Sequence, residues 1–234
     1  MSVRENYEEI MANVQAAAEA SGRKKEDITL IAVSKFVDEG RIKEAIACGA
    51  KNFGESRAQE LTAKLTMFEQ AGSNVHFIGQ LQTNKVKYVI GNVKTIQSVD
   101  RLELANEISR LAQKKGIVQQ VLIEVNIGGE TQKGGAYAEG LEEFLTNISR
   151  LNGVFVKGLM CIPPAVDEAD ARRYFAKMKM LFDRMAGLGL PNVAMDELSM
   201  GMSGDYRAAI AEGATMVRVG SAIFGERRRP GAEA

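Results

Sequence analysis

Ile28-Thr29-Leu30-Ile31-Ala32-Val33-Ser34-Lys35 is apolar almost without interruption until it stops at a serine and a lysine. A strand with one wet face would alternate between apolar and polar residues. A short continuous run reads instead as a strand buried on both faces, the condition that crossover helices create around a parallel sheet. Val121-Leu122-Ile123 has the same character.

Eight runs of this kind recur along the chain: 28–35, 52–55, 76–79, 95–99, 118–127, 154–162, 197–200 and 215–220. Amphipathic segments separate them. Leu141, Phe144, Leu145, Ile148 and Leu151 follow helical spacing, as do Tyr174, Phe175, Met178, Leu181, Phe182 and Met185. Methionines 178, 180 and 185 read as core filler and helix surface. Val3, Tyr7, Ile10, Met11, Val14 and Ala18 predict an extra helix before the first strand. Eight β/α units fit a single closed (β/α)8 TIM barrel of the α/β class, which leaves no sheet edge. An open doubly wound sheet is the alternative at this point. With no Pro- or Ser-rich linker or repeat in view, residues 1–234 are expected to form one domain, with Arg227–Ala234 a charged, frayed tail.

Thirty basic and thirty acidic residues cancel to zero net charge, so no bulk field favours nucleic acid or an anionic membrane. The N-terminal segment lacks the apolar block of a signal peptide, and no stretch approaches a membrane span. Cys48 and Cys161 match no metal or redox spacing. These features predict a soluble cytoplasmic protein that needs no metal and binds a small, locally charged ligand; monomer is the simplest expected state.

In a parallel barrel the site forms where strands end. Lys35 stands at such an end, where partial desolvation would make its amine a nucleophile toward an aldehyde. A lysine that exposes its head to water, or pairs with Glu55, reads the same way. The loops after strands seven and eight, Ser199-Met200-Gly201-Met202-Ser203-Gly204-Asp205 and Gly220-Ser221, offer glycine backbone N–H groups and hydroxyls to an anion. Ser203 as a helix cap and Gly220 as a plain turn are the alternatives. Arg218 shares a strand face with Gly220 and points inward, toward either a cofactor ring nitrogen or Glu124. The single histidine, His76, is expected at the start of its strand in a structural role. Gln82, Asn84 and Lys85 are expected on the loop face, and residues 128–135 as a mobile charged lid, with an exposed loop without function reading the same way.

Taken together, Ala32-Val33-Ser34-Lys35, Phe53-Gly54-Glu55, His76-Phe77-Ile78-Gly79 with Leu81-Gln82 and Asn84-Lys85, Gly158-Leu159-Met160, Leu198-Ser199-Met200-Gly201-Met202-Ser203 and Arg218-Val219-Gly220-Ser221 with Ile223-Phe224-Gly225 resemble the pyridoxal phosphate homeostasis proteins, single-barrel relatives of the alanine racemase N-terminal domain. The resemblance spans almost the whole chain. It implies pyridoxal 5'-phosphate as cofactor, Lys35 as its Schiff-base lysine, Ser203, Gly220 and Ser221 as phosphate contacts, and Arg218 as partner of the pyridine nitrogen. Met200, Gly201 and Asn52 are grouped with these as cofactor-side contacts. Ser56 stands where such proteins usually carry Asn, and Val75 where Trp often precedes His-Phe.

The implied role is storage or delivery of the cofactor, with apo-enzymes as candidate recipients and effects on amino-acid and keto-acid pools. A racemase needs a second base opposite Lys35. No opposing tyrosine is identifiable here, and an Arg218 contact would keep the ring nitrogen neutral and weaken it as an electron sink. A non-catalytic binding protein is therefore expected, with a racemase or related small-substrate enzyme as the alternative. A third reading is a barrel enzyme acting on phosphorylated metabolites through Lys35.

Overall fold

The computed structural model describes residues 2–225; the expected tail at 227–234 lies outside them. Eight parallel strands pair in sequence order and close on themselves: β1 Thr29–Val33, β2 Asn52–Glu55, β3 Asn74–Phe77, β4 Thr95–Val99, β5 Gln119–Val125, β6 Val154–Cys161, β7 Val193–Ser199 and β8 Met216–Val219. Closure is made by β8 against β1, with Leu30 beside Val217 and Ala32 beside Val219. The expected barrel is therefore present, and the open sheet is not.

The helices are α1 Val3–Ala20, α2 Glu39–Ala47, α3 Ala58–Gln70, α4 Val86–Val89, α5 Leu102–Lys115, α6 Leu141–Ile148, α7 Glu168–Ala186, α8 Tyr206–Ala211 and α9 Ser221–Phe224. The first is the expected extra helix. Ser2 and Glu5 cap it reciprocally, which satisfies two otherwise orphaned N–H groups. Its buried face, Val3, Tyr7, Ile10, Val14 and Ala18, packs on α8, α9 and α2. No helix among the described residues is long and apolar enough to cross a membrane.

Strand register sorts the side chains into two sets, because neighbours across a parallel ladder share a face. Leu30, Ala32, Phe53, Phe77, Ile96 and Val121 face outward and join the helices in one large core, in which the Phe53 and Phe68 rings lie 5.1 Å apart. The lumen holds a separate apolar group of Ile31, Leu122, Met160 and Met216. Above and below that layer the lumen is polar, with His76, Gln97, Glu124, Ser199 and Arg218 all buried.

Most strands keep within one or two residues of the expected bounds, and β3 and β7 start earlier than expected. β7 begins at Val193 because its first residues are half-buried or exposed and show no apolar run. β3 begins at Asn74, so His76 is its third residue rather than its first. At Gly158 the register between β6 and β7 shifts, φ is +152°, and an added Cβ would overlap the carbonyl oxygen of Glu197. Only glycine fits that position.

Candidate functional site

The C-terminal ends of the strands open into two adjoining cavities. One of about 740 Å³ is lined by Val33, Met202, Ser203, Gly204, Arg218, Gly220 and Ser221. The other, about 590 Å³, is lined by Arg57, Gln80, Glu124, Asn126, Lys133 and Gly134 among others. Lys35, Phe36, Ser56, Ile78 and Ile162 line both, so Lys35 stands at their junction.

Lys35 is half-buried on the loop that leaves β1. The next residue, Phe36, has φ +61°, an uncommon conformation for a bulky side chain. Its ring carries the Arg57 guanidinium at 4.5 Å. Glu55 is turned away from the cavities: its Oε1 accepts from Lys64 Nζ at 2.9 Å and from the Ser34 hydroxyl at 2.7 Å. The cation that neutralises Glu55 is thus Lys64.

The loops after β7 and β8 meet. Ser203 Oγ accepts from the Gly220 N–H at 3.3 Å and lies 3.4 Å from Ser221 Oγ. Ser203 is not a helix cap, since α8 begins at Tyr206 after Asp205. Two hydroxyls and glycine backbone on one wall form a cradle suited to a phosphate.

Arg218 is buried, and burial lowers its pKa against the partial support of Cys161, Glu124 and Asp205. Its hydrogen bonds go to Ser199 Oγ at 2.7 Å and to the Cys161 carbonyl at 2.9 Å, not to Glu124. Ser199 in turn donates to Gln97 Oε1 at 2.7 Å, which leaves the Gln97 amide nitrogen to face His76 Nδ1 at 3.2 Å. His76 is therefore an acceptor at Nδ1. Burial, aided by Lys94, pushes its pKa down to about 3 and keeps it neutral. This chain crosses the lumen beneath the cavity and holds the guanidinium in place. The Cys161 thiol is pushed up to about 12 by burial and is inert.

Glu124 lines the second cavity with its pKa pushed up to about 7, first by burial and then by Asp100, against the opposing pull of Arg218. Of residues 128–135, expected as a lid, Gln132, Lys133 and Gly134 line this cavity. Asn126 Nδ2 donates to the Glu130 carbonyl at 2.7 Å, and Lys133 reaches Glu130 at 2.6 Å and the Pro163 carbonyl at 3.2 Å.

Lys35, Ser203, Arg218, Gly220 and Ser221 are thus brought together, and three other expected contacts are placed elsewhere. Asn52 opens β2 at the opposite end of the barrel, where its Oδ1 accepts from Asn74. Met200 points outward into the core between barrel and helices. Gly201, with φ +89°, presents the position of its missing Cβ to Ala209 and Tyr206 of α8. Of the loop after β3, Gln80 reaches a cavity, whereas Lys85 lines a groove with Tyr88 on α3 and α4. Sequence reading missed Gln80 and Arg57, and treated Glu124 only as a partner for Arg218. Glu124 was detectable as the one acid in Val121-Leu122-Ile123-Glu124-Val125, on the lumen face with Leu122.

Residues 6–228 match the family described as alanine racemase, N-terminal domain. The pyridoxal phosphate homeostasis protein of Aquifex aeolicus is 45% identical over 229 residues, covering 97% of this chain and 100% of its own length. The protein of that name from Pseudomonas aeruginosa is 37% identical over 97% of this chain and 96% of its own. Among solved structures, PipY of Synechococcus elongatus with pyridoxal phosphate bound superposes at a TM-score of 0.78 with 34% identity, covering 85% of this chain and 93% of that one. Alanine racemase from Clostridium difficile shares the fold at a TM-score of 0.68 and 18% identity. By sequence and by fold, the chain belongs to the alanine racemase N-terminal domain family and, within it, to the pyridoxal phosphate homeostasis proteins.

Proposed function

We propose that this protein binds pyridoxal 5'-phosphate at the barrel mouth, linked to Lys35 as a Schiff base, and stores or delivers it without turning over a substrate of its own. One observation carries this reading: the Lys35 side chain lines the same cavity as the Ser203–Gly220–Ser221 cradle and the Arg218 guanidinium. An amine, an anion cradle and a hydrogen-bond donor are the three features this cofactor asks of a site. The cavity, about 740 Å³, is of the size that takes a small cofactor.

When bound, the cofactor supplies an aldehyde that condenses with amines and a ring that withdraws electrons from them. Ser203 and Ser221 would hold the phosphate by their hydroxyls and adjoining backbone. Arg218, fixed by Ser199 and Cys161, would donate to the ring nitrogen and keep it unprotonated, which supports a holding role over carbanion chemistry. Val33, Ile78 and Ile162 would flank the ring and exclude water. The names of the relatives and the pyridoxal phosphate bound to PipY support the same reading.

The test is the absorption spectrum of the protein with added pyridoxal phosphate, before and after borohydride, for the wild type and Lys35→Ala. A band that bleaches on reduction, fixes the label on Lys35 and is absent from the variant is the expected result. No band after reconstitution would overturn the assignment. A second reading, slow racemase-type chemistry, is favoured by the Glu124 carboxyl in the adjoining cavity. Exchange of the α-proton of free amino acids in heavy water, lost in Glu124→Gln, would establish it.

A further inference from the structure

We infer that Lys64, which lines neither cavity, is a positioning residue that clamps the backbone on both sides of Lys35 and sets the approach of its amine. The inference rests on the proposed role of Lys35. Lys64 is buried on α3, at a point where Leu61, Met67 and Phe68 would predict another apolar residue. Its ammonium group donates to the Ser34 carbonyl at 2.8 Å, to Glu55 Oε1 at 2.9 Å and to Glu60 Oε2 at 3.5 Å. Those three acceptors use all three of its donors.

One of these bonds reaches the loop that carries Lys35 directly, and the other two reach it through Glu55 and Glu60. Ser34, just before it, is gripped by its carbonyl and, through Glu55, by its hydroxyl. Phe36, just after it, donates its N–H to the same Glu60 Oε2 at 2.8 Å. The left-handed Phe36 needs such support, since a bulky residue does not keep φ +61° unaided. Stability alone does not explain the choice of residues, because a buried ion pair is commonly no more stabilising than apolar side chains of the same volume. Glu55 even leaves Oε2 buried without a hydrogen bond. What the pair supplies is a fixed backbone on either side of the reacting side chain.

The step being positioned is addition of the neutral Lys35 amine to the aldehyde carbon. A carbon–nitrogen double bond forms as the carbon–oxygen bond breaks, and the aldehyde oxygen leaves as water with the two hydrogens of the amine. Displacing a reacting group by an ångström can cost up to about a hundredfold in rate.

The experiment follows capture of pyridoxal phosphate by stopped-flow absorbance, with borohydride trapping and mass spectrometry on the intact chain. Lys64→Met combined with Glu55→Gln removes both charges and strands neither. Expected is a folded protein whose half-saturating cofactor concentration stays within about twofold, while the limiting rate of bond formation falls at least about tenfold. An unchanged limiting rate in the folded variant would overturn the clamp. Should that variant fail to fold, Glu60→Ala decides: it keeps the Lys64–Glu55 pair but frees the Phe36 N–H, and the same split in rate is expected, an unchanged rate again overturning the clamp. Failure of the wild type to trap cofactor on Lys35 would defeat the functional reading instead, so the two failures are distinguishable.

Discussion

Between the barrel and its helices, Phe53, Phe68, Phe77 and Phe175 sit fully buried in one continuous apolar mass. Inside the barrel, by contrast, Ile31, Leu122, Met160 and Met216 make a thin apolar layer, and around it a histidine, a glutamine, a serine and an arginine are joined by hydrogen bonds. Both regions exclude water, yet they do different work. Dispersion and area removed from water make the outer region the source of stability. In the lumen, each polar group needs its partner, so the gain is a defined geometry rather than net free energy.

The sharpest way to break this division is Phe175→Ala in the outer region. Loss of about 3–5 kcal/mol of stability is expected from denaturant unfolding, as for large core truncations. Cofactor capture at low temperature should be unchanged; weakened capture in a still-folded variant would show that the two regions are not independent.

A change of on the order of 3 kcal/mol is expected from Glu124 as pH varies. Its folded pKa, about 7, lies above the ordinary carboxyl value of 4.5. Between those values the folded chain binds more protons than the unfolded one, so this group's contribution to stability falls as pH rises through that window. Unfolding of wild type and Glu124→Gln from about pH 5 to pH 8 should show the variant gaining relative stability with rising pH. A pH-independent difference would mean that Glu124 is already charged in the folded lumen. His76 works in the opposite sense: with a folded pKa of about 3, it makes the lumen more stable as pH rises from 3 toward its ordinary value of 6.5.

A smaller effect should follow Ser199→Ala, which strips the link between Gln97 and Arg218. A cost of about 1–3 kcal/mol is expected from the polar groups left without partners. Because Arg218 would be less firmly held, the absorption maximum of bound cofactor should shift as well. A loss of stability with no spectral change would assign the chain to the fold rather than to the site.

Much of the barrel was legible in the sequence alone. The apolar runs marked the strands because outward-facing and inward-facing residues are both dry, and Lys35 stood out as a cation at the end of such a run. The first residues of β7 were not legible, since Val193–Asp196 carry no continuous burial to announce pairing. Asn52, Met200 and Gly201 were grouped with the site by proximity to motifs, but a strand has two ends and two faces, and only register tells which one a residue occupies. The Lys64 clamp left a signal that pattern reading passes over: a lysine on the buried stripe of an amphipathic helix, four residues after a glutamate.

Closure of the ring also sets an order in time. The hydrogen-bonded edge of β1, from Thr29 to Ala32, finds its second partner only in β8, from Met216 to Val219. At ordinary rates of translation, roughly 10–40 s pass between synthesis of these two strands. Over that interval Leu30-Ile31-Ala32-Val33 is an unsealed apolar strand edge, the kind of surface that invites chaperone binding or misassociation. The two loops whose hydroxyls and glycine backbone meet at the cavity wall, at Ser203 and at Gly220-Ser221, are also made late. A cofactor that needs all of these residues could not guide the early stages of folding and would join a barrel that has already closed.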